Sequence, residues 1–407
     1  MQEIVIFSEF IDQIIVDNFG KTPRYIAVSR NKKHIELSPL AYELLKKVAA
    51  GDSFSAIAQG VSTAGKAHVS ADEVQKAYET IIAKIKKIDG DQQTRQKDFW
   101  LKFSLVPASR VQQFASLLTF LFQAPIAFSL LSALVILLAC ALKQGLSQII
   151  LQPDPLTLLL AYSLFLISLL MHEFGHSSAC VKGGIKPSEI GLAVYLIFPV
   201  FYSDVSASWQ LSRWRKVRVD TAGVYFQLCA AVLYLLIWLI ARQPAFQLAL
   251  AMILGSCLFS LNPFLKFDGY WVLSDLFGIA NLYKQPAYLI SYFYWTRIQK
   301  QKRTLRWSPA TCVFILIYGL LKAGFWIYLL AFSLPFLWQT ALSYPLLITH
   351  TFAHLQHSAR LSLLTDLQSL VTGGLFLLLW GGGLGRLCFP TVIRFIKQGR
   401  ARRAEIE

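Results

Sequence analysis

"SLLMHEFGHSSAC", Ser168 to Cys180, sets His172, Glu173 and His176 at the end of a long apolar run. Counted from Leu156, that run reaches the roughly 20 residues a helix needs to cross a bilayer. Ionisable groups near or inside such a span are costly and mark function by default. The stretch therefore calls for a bilayer and for a polar chemistry at its edge.

The composition agrees. With 407 residues, 55% of them hydrophobic, 15% charged and a mean hydropathy of +0.49, the chain is too apolar for a soluble globular protein. The opening "MQEIVIFSEF" carries acids early and lacks a basic start before an apolar core. No cleavable secretory signal is expected, and the N-terminus is expected in the cytosol. The 6 cysteines, Cys140, Cys180, Cys229, Cys257, Cys312 and Cys388, are scattered without a C-x-x-C. They signal neither a disulfide framework nor a cysteine zinc site. A net charge of +16 raises the question of nucleic acid. The basic residues instead flank apolar spans, in "SRWRKVR" (Ser212 to Arg218), "TRIQKQKRTLRW" (Thr296 to Trp307) and "RFIKQGRARR" (Arg394 to Arg403). Cytoplasmic loops of a bilayer protein show that pattern, and no nucleic-acid partner is expected.

The span criterion places transmembrane helices near Pro125–Leu142, Leu156–Cys180, Val219–Ala241, Phe246–Phe267, Thr311–Trp338 and Leu367–Pro390. A further apolar piece, Ile190–Val205, is short, contains Pro199 and ends beside Asp204. Counting it as a span would move the basic clusters after it to the outside, so the positive-inside rule makes it a re-entrant element. Both termini are then cytoplasmic. The glycine run Gly381–Gly385 in the last span permits close helix contact, within the chain or between chains.

The first ninety or so residues have another character. Tyr25–Arg30 and His34–Ser38 read as two strands joined by the polar turn Asn31–Lys33. Ser38 followed by Pro39 opens a helix that Gly51 stops. A second short helix runs over Ser53–Gln59. A third is marked by a capping box, Ser70 with Glu73, and by Val74, Tyr78, Ile81, Ile85 and Ile88 at helical spacing. The stretch Asp89–Lys102 reads as a linker, and Phe114–Gln123 as a helix lying along the membrane interface.

His172-Glu173-Phe174-Gly175-His176 is H-E-x-x-H. On a helix the histidines stand about 40° apart around the axis, and Glu173 about 60° from His176. Two imidazoles so placed grip one zinc while the carboxylate faces the water whose pKa the metal lowers to about 7. Glu173 takes that water's proton and passes it to the leaving amine. The third ligand comes from "LNPFLKFDGYW", Leu261 to Trp271. Asp268 could be an ordinary aspartate past a helix end, but it falls on the same membrane side as His172, and that makes it the better choice. A rival set, His350, His354 and His357 in "HTFAHLQH", has metal-site spacing but no carboxylate, and the topology puts it across the bilayer. A solvated interfacial helix is its simpler reading.

Together, the span carrying "HEFGH", the pair Gly183 and Gly184, the re-entrant segment and "NPFLKFDGYW" resemble the site-2 protease family of intramembrane zinc metallopeptidases. The peptide zinc metalloprotease branch is similar also through "FPVFYSD" (Phe198 to Asp204), "TAGVY" (Thr221 to Tyr225) and "FDGYWVLSDLFGIANLYKQ" (Phe267 to Gln285). The resemblance covers about Leu156 to Gln285 and implies that His172, His176 and Asp268 bind Zn2+ with Glu173 as the catalytic base. In the broader family an asparagine that contacts the substrate backbone stands three residues before the proline. Here Ser260 holds that place and Asn262 directly precedes Pro263, so Asn262 is the remaining candidate for substrate binding. Through "ELSPLAYELL" and "SADEVQKAYETI" the N-terminal unit resembles the PqqD-like winged helix, which binds precursor-peptide leaders. A winged helix without a ligand, or one that binds DNA, stays open, though tethering to a membrane disfavours DNA.

The expected architecture is mainly α, a polytopic membrane protein of about six spans and a re-entrant segment. Its domains are a PqqD-like α+β unit over 1–90, a linker and interfacial helix over 91–124, and a zinc metalloprotease domain over 125–407. The implied function is cleavage of a ribosomally made precursor peptide during maturation or export, at a bacterial inner membrane. The implied partners are that peptide, the lipid bilayer, and peptide-modifying enzymes or an exporter. Two rivals remain: regulated intramembrane proteolysis of a single-span protein, and a peptide exporter or immunity partner without proteolysis.

Overall fold

The computed structural model describes residues 11–17, 24–29, 34–64, 69–90, 102–148, 153–195, 198–279, 281–298, 300, 307–356 and 369–378. It divides into two compact units, Met1–Asn281 and Leu282–Glu407. The turn at Asn31–Lys33, His357, most of Leu367–Pro390, the run Gly381–Gly385 and the basic cluster Arg394–Arg403 lie outside the described residues.

The first unit begins with an antiparallel sheet of β1 (Ile11–Asp17), β2 (Arg24–Ser29) and β3 (His34–Leu37), in that order. Three helices follow, α1 (Pro39–Ala49), α2 (Phe54–Ala64) and α3 (Ala71–Gly90). Their starts follow the local chemistry. Ser38 caps α1 by accepting the Ala41 N–H at 3.2 Å, and Gly51 closes it with φ of +91°. At α3 the capping box is complete: Ser70 Oγ accepts the Glu73 N–H at 3.2 Å, and Glu73 accepts the Ser70 N–H at 3.0 Å. Ile11, Ile14, Ala27, Leu37, Leu45 and Ile85 form the core between sheet and helices. Two strands were legible in the sequence and β1 was not, because a register shift between Ile11 and Gln13 breaks its alternation.

Of the stretch expected as a linker, Asp89 and Gly90 end α3, residues 91–101 lie outside the described residues, and Lys102 begins β4 (Lys102–Val106); α4 (Ala108–Leu118) follows with a 3-10 turn at Thr119–Phe122. Next come α5 (Ala124–Lys143) and α6 (Pro155–Lys182). Asp154 caps α6 through the Thr157 N–H at 3.0 Å, with Pro155 in the first turn. The apolar segment expected to be re-entrant is a hairpin, β5 (Ile190–Tyr195) and β6 (Phe198–Ser203). β5 is the middle strand of a sheet in the order β4-β5-β6, so its backbone groups are satisfied without helix. A 3-10 turn at Ser206–Gln210 leads to α7 (Arg213–Ala241), then α8 (Pro244–Ser260) and α9 (Asp268–Leu276).

Ala141, Val224, Ala231, Leu235, Trp238, Leu250 and Ile253 make the core shared by α5, α7 and α8. At the other end of α6, Ala179 and Cys180 pack with Leu211, Val219 and Ala222. A Cβ on Gly175 would lie 2.3 Å from the Ala222 carbonyl oxygen. Only glycine therefore lets α6 and α7 meet backbone to backbone here.

The second unit holds α10 (Gln285–Phe293), α11 (Pro309–Gln356) and α12 (Ser369–Leu378). Ile315 and Tyr318 of α11 are buried, and Lys322 donates to the Tyr283 carbonyl at 2.8 Å. Among the described residues four helices, Ala124–Lys143, Pro155–Lys182, Arg213–Ala241 and Pro309–Ala353, are long and apolar enough to cross a membrane. The segment expected as the fourth span is shorter than expected: its helix ends at Ser260, and the chain turns before Asp268. The fold is that of a mainly α membrane protein.

Candidate metal centre

α6 carries His172, Glu173 and His176 where it passes α7, and α9 begins with Asp268. The two Nε2 atoms lie 3.0 Å apart. His172 Nε2 is 3.0 Å from Asp268 Oδ2, and His176 Nε2 is 3.6 Å from Oδ1. A tetrahedral ion with bonds of about 2.1 Å holds its ligand atoms about 3.4 Å apart. Among the described residues these three form the one His, Cys and carboxylate group spaced to hold a metal.

The outer nitrogens decide which lone pairs face inward. His176 Nδ1 lies 2.7 Å from the Val219 carbonyl oxygen, and His172 Nδ1 lies 3.0 Å from Gln227 Oε1. With both partners accepting, each Nδ1 donates outward, which leaves each Nε2 as the atom that can offer a lone pair to a metal beside the Asp268 carboxylate. Three electron-rich groups converging this closely repel one another unless a cation lies among them. The donor set therefore fits a zinc-like ion.

The surroundings are built for this arrangement. Gly223 of α7 faces the histidines, and a Cβ there would lie 2.4 Å from His172 Nε2 and 2.5 Å from His176 Nε2. A larger residue would fill the space where the ligand atoms converge. Gln227 donates from Nε2 to Ser256 Oγ at 3.0 Å, and Ser256 donates to the Ile253 carbonyl at 3.0 Å. Ser256 of α8 thereby holds the Gln227 side chain of α7 with its oxygen toward His172. Ser260, at the end of α8, donates to Asp268 Oδ2 at 2.8 Å. Glu173 takes a 2.6 Å hydrogen bond from Ser203, the last residue of β6.

The structure thus brings His172, His176 and Asp268 together, with Glu173 between the histidines in sequence. Asn262 is engaged locally: its Oδ1 accepts the Phe264 N–H at 2.9 Å. His350 is exposed on α11, whose described part also contains His354. Gly223, Gln227, Ser203, Ser256 and Ser260 were not singled out for these contacts from the sequence. Gln227, a polar residue inside an apolar span, was the one with a visible signal.

Fold and site together define a mainly α membrane protein with a candidate metal centre. Over 111 residues the chain is 27% identical to the Bacillus subtilis (strain 168) protein named "Putative peptide zinc metalloprotease protein YydH". That stretch covers 27% of this chain and 44% of that protein, so the chain spans less than half the length of this relative. No protein-family model and no solved structure matches the chain.

Proposed function

We propose that this chain is a zinc endopeptidase of the site-2 protease type, working at the membrane on a ribosomally made precursor peptide. The observation that carries the reading is the convergence of His172 Nε2, His176 Nε2 and the Asp268 carboxylate beside Glu173, at the end of an apolar helix. The likeness to YydH supports zinc and peptide as metal and substrate class.

In this reading His172, His176 and Asp268 hold the ion. When bound there, zinc would supply a Lewis acid for the scissile carbonyl and for water. Glu173 accepts a proton as the water oxygen bonds to the carbonyl carbon, and returns it to the amide nitrogen as the C–N bond breaks. One water is consumed: one of its protons reaches the nitrogen through Glu173, the other passes from the new acid to the amine, and a carboxylate and an ammonium leave. A substrate lying along β6, an edge strand of its sheet, pairs its main chain there and reaches Ser203 beside Glu173.

The N-terminal unit serves as a PqqD-like module that holds the leader at an edge of its sheet. Asn262 contributes a minor contact to substrate. The chain works in the bacterial inner membrane with both termini in the cytoplasm, alongside peptide-modifying enzymes or an exporter, and without nucleic acid. Mass spectrometry of peptides and membrane proteins in hosts carrying wild type or Glu173→Gln tests this. A short uncleaved precursor accumulating in the variant supports it, an accumulating single-span protein redirects the activity to regulated proteolysis, and no difference in cells that express the chain contradicts it.

A further inference from the structure

Glu173 is a half-buried residue within α6, and of the several rotamers open to a glutamate side chain only some put a carboxylate oxygen beside the ligand atoms. Ser203 removes that freedom. Its Oγ lies 2.6 Å from Glu173 Oε2, an ordinary distance for a hydroxyl donating to a carboxylate. Among the described residues it is the hydrogen-bond partner of Glu173, and the second oxygen, Oε1, is left to take a proton.

The position of Ser203 is itself fixed from both sides. It ends β6 opposite Ile190, which is fully buried. The residue before it, Tyr202, crosses Gly191 of β5 and donates to the Glu189 carboxylate at 3.2 Å. The residue after it, Asp204, donates its N–H to Ser188 Oγ at 2.7 Å. A hydroxyl on so restrained a backbone holds its partner in place. A hydroxyl also suits a group that gains and loses a proton, because by rotating it donates to the carboxylate and accepts from the acid.

We propose that Ser203 is a positioning residue for Glu173: the end of the β5–β6 hairpin holds the carboxylate that handles the proton in peptide hydrolysis. This rests on the reading of Glu173 as proton acceptor, and the test separates the two. The full chain in detergent micelles is loaded with cobalt(II) and titrated with acetohydroxamic acid, whose binding is read from the visible spectrum. This probe chelates the metal and gives its proton to a neighbouring carboxylate, so its affinity depends on where that carboxylate stands.

The expected result is an affinity about tenfold or more weaker in Glu173→Gln, about three- to tenfold weaker in Ser203→Ala, and within about twofold of wild type in Ser203→Thr, which keeps the hydroxyl. Cobalt stoichiometry stays equal in all four proteins. Wild-type affinity in Ser203→Ala, with Glu173→Gln weakened, overturns the role of Ser203 alone. Wild-type affinity in Glu173→Gln overturns the reading of Glu173, and the proposal with it. Loss of cobalt in Ser203→Ala makes Ser203 a structural residue and likewise overturns the proposal, as does a wild-type chain that takes up no cobalt.

Discussion

Gly223 of α7 stands where a Cβ would come within 2.4 Å of His172 Nε2, so the absence of a side chain on one helix makes room for the ligand atoms on another. Gly223→Ala is expected to lower zinc affinity at least about tenfold while leaving the helix content intact, since the added methyl meets the ligand nitrogens. Competition with a chelating dye, beside a far-ultraviolet circular dichroism spectrum, reads both. Unchanged affinity would mean that the histidines face elsewhere.

Gln227 fixes the tautomer of His172 from the far side of the ring. Replacing it with Leu removes the acceptor, and zinc affinity should fall by about 10- to 100-fold, as for other groups that orient metal-bound histidines. Gln227→Glu keeps an acceptor at that place and should stay much closer to wild type. The same dye competition distinguishes them, and equal loss in both variants would point to packing instead.

Ser260→Ala removes the donor that holds Asp268 Oδ2. Asp268 still begins α9, so the expected loss of zinc affinity is smaller, within about tenfold. A rise in affinity would show that Ser260 competes with the metal for that oxygen.

Ser70→Ala breaks the capping box of α3 at a distance in sequence from every candidate ligand. It should cost the N-terminal unit about 1 kcal/mol of stability, seen as faster amide exchange in α3, with zinc content unchanged. Zinc loss in this variant would show that the N-terminal unit shapes the metal centre.

Much of this was legible because it is local. The caps at Ser38 and Ser70 and the H-E-x-x-H spacing on α6 each depend on a few neighbouring residues, and the long apolar runs declare themselves by composition. Asp268 was reached through topology, by asking which carboxylate falls at the depth of His172. The partners of the site stayed hidden for the opposite reason. Ser203 meets Glu173, and Gly223 clears the histidines, only because a hairpin and a helix pack against α6, and no local pattern encodes such a contact. β4 escaped notice because its pairing partner β5 lies far along the chain. Ile190–Val205 is apolar enough to enter a bilayer, but its short apolar runs did not reveal the strand pairing that satisfies its backbone.

The central claim is that three side chains hold one zinc ion and that Glu173 acts on what the ion activates. Elemental analysis of the purified full chain, grown with zinc, tests it most directly when set beside Asp268→Ala and Glu173→Gln. The account predicts about one zinc per wild-type chain, a similar content in Glu173→Gln, and little or none in Asp268→Ala, since three ligands are the minimum a hydrolytic zinc site keeps. Zinc retained in full by Asp268→Ala, or absent from the wild-type chain, would contradict it.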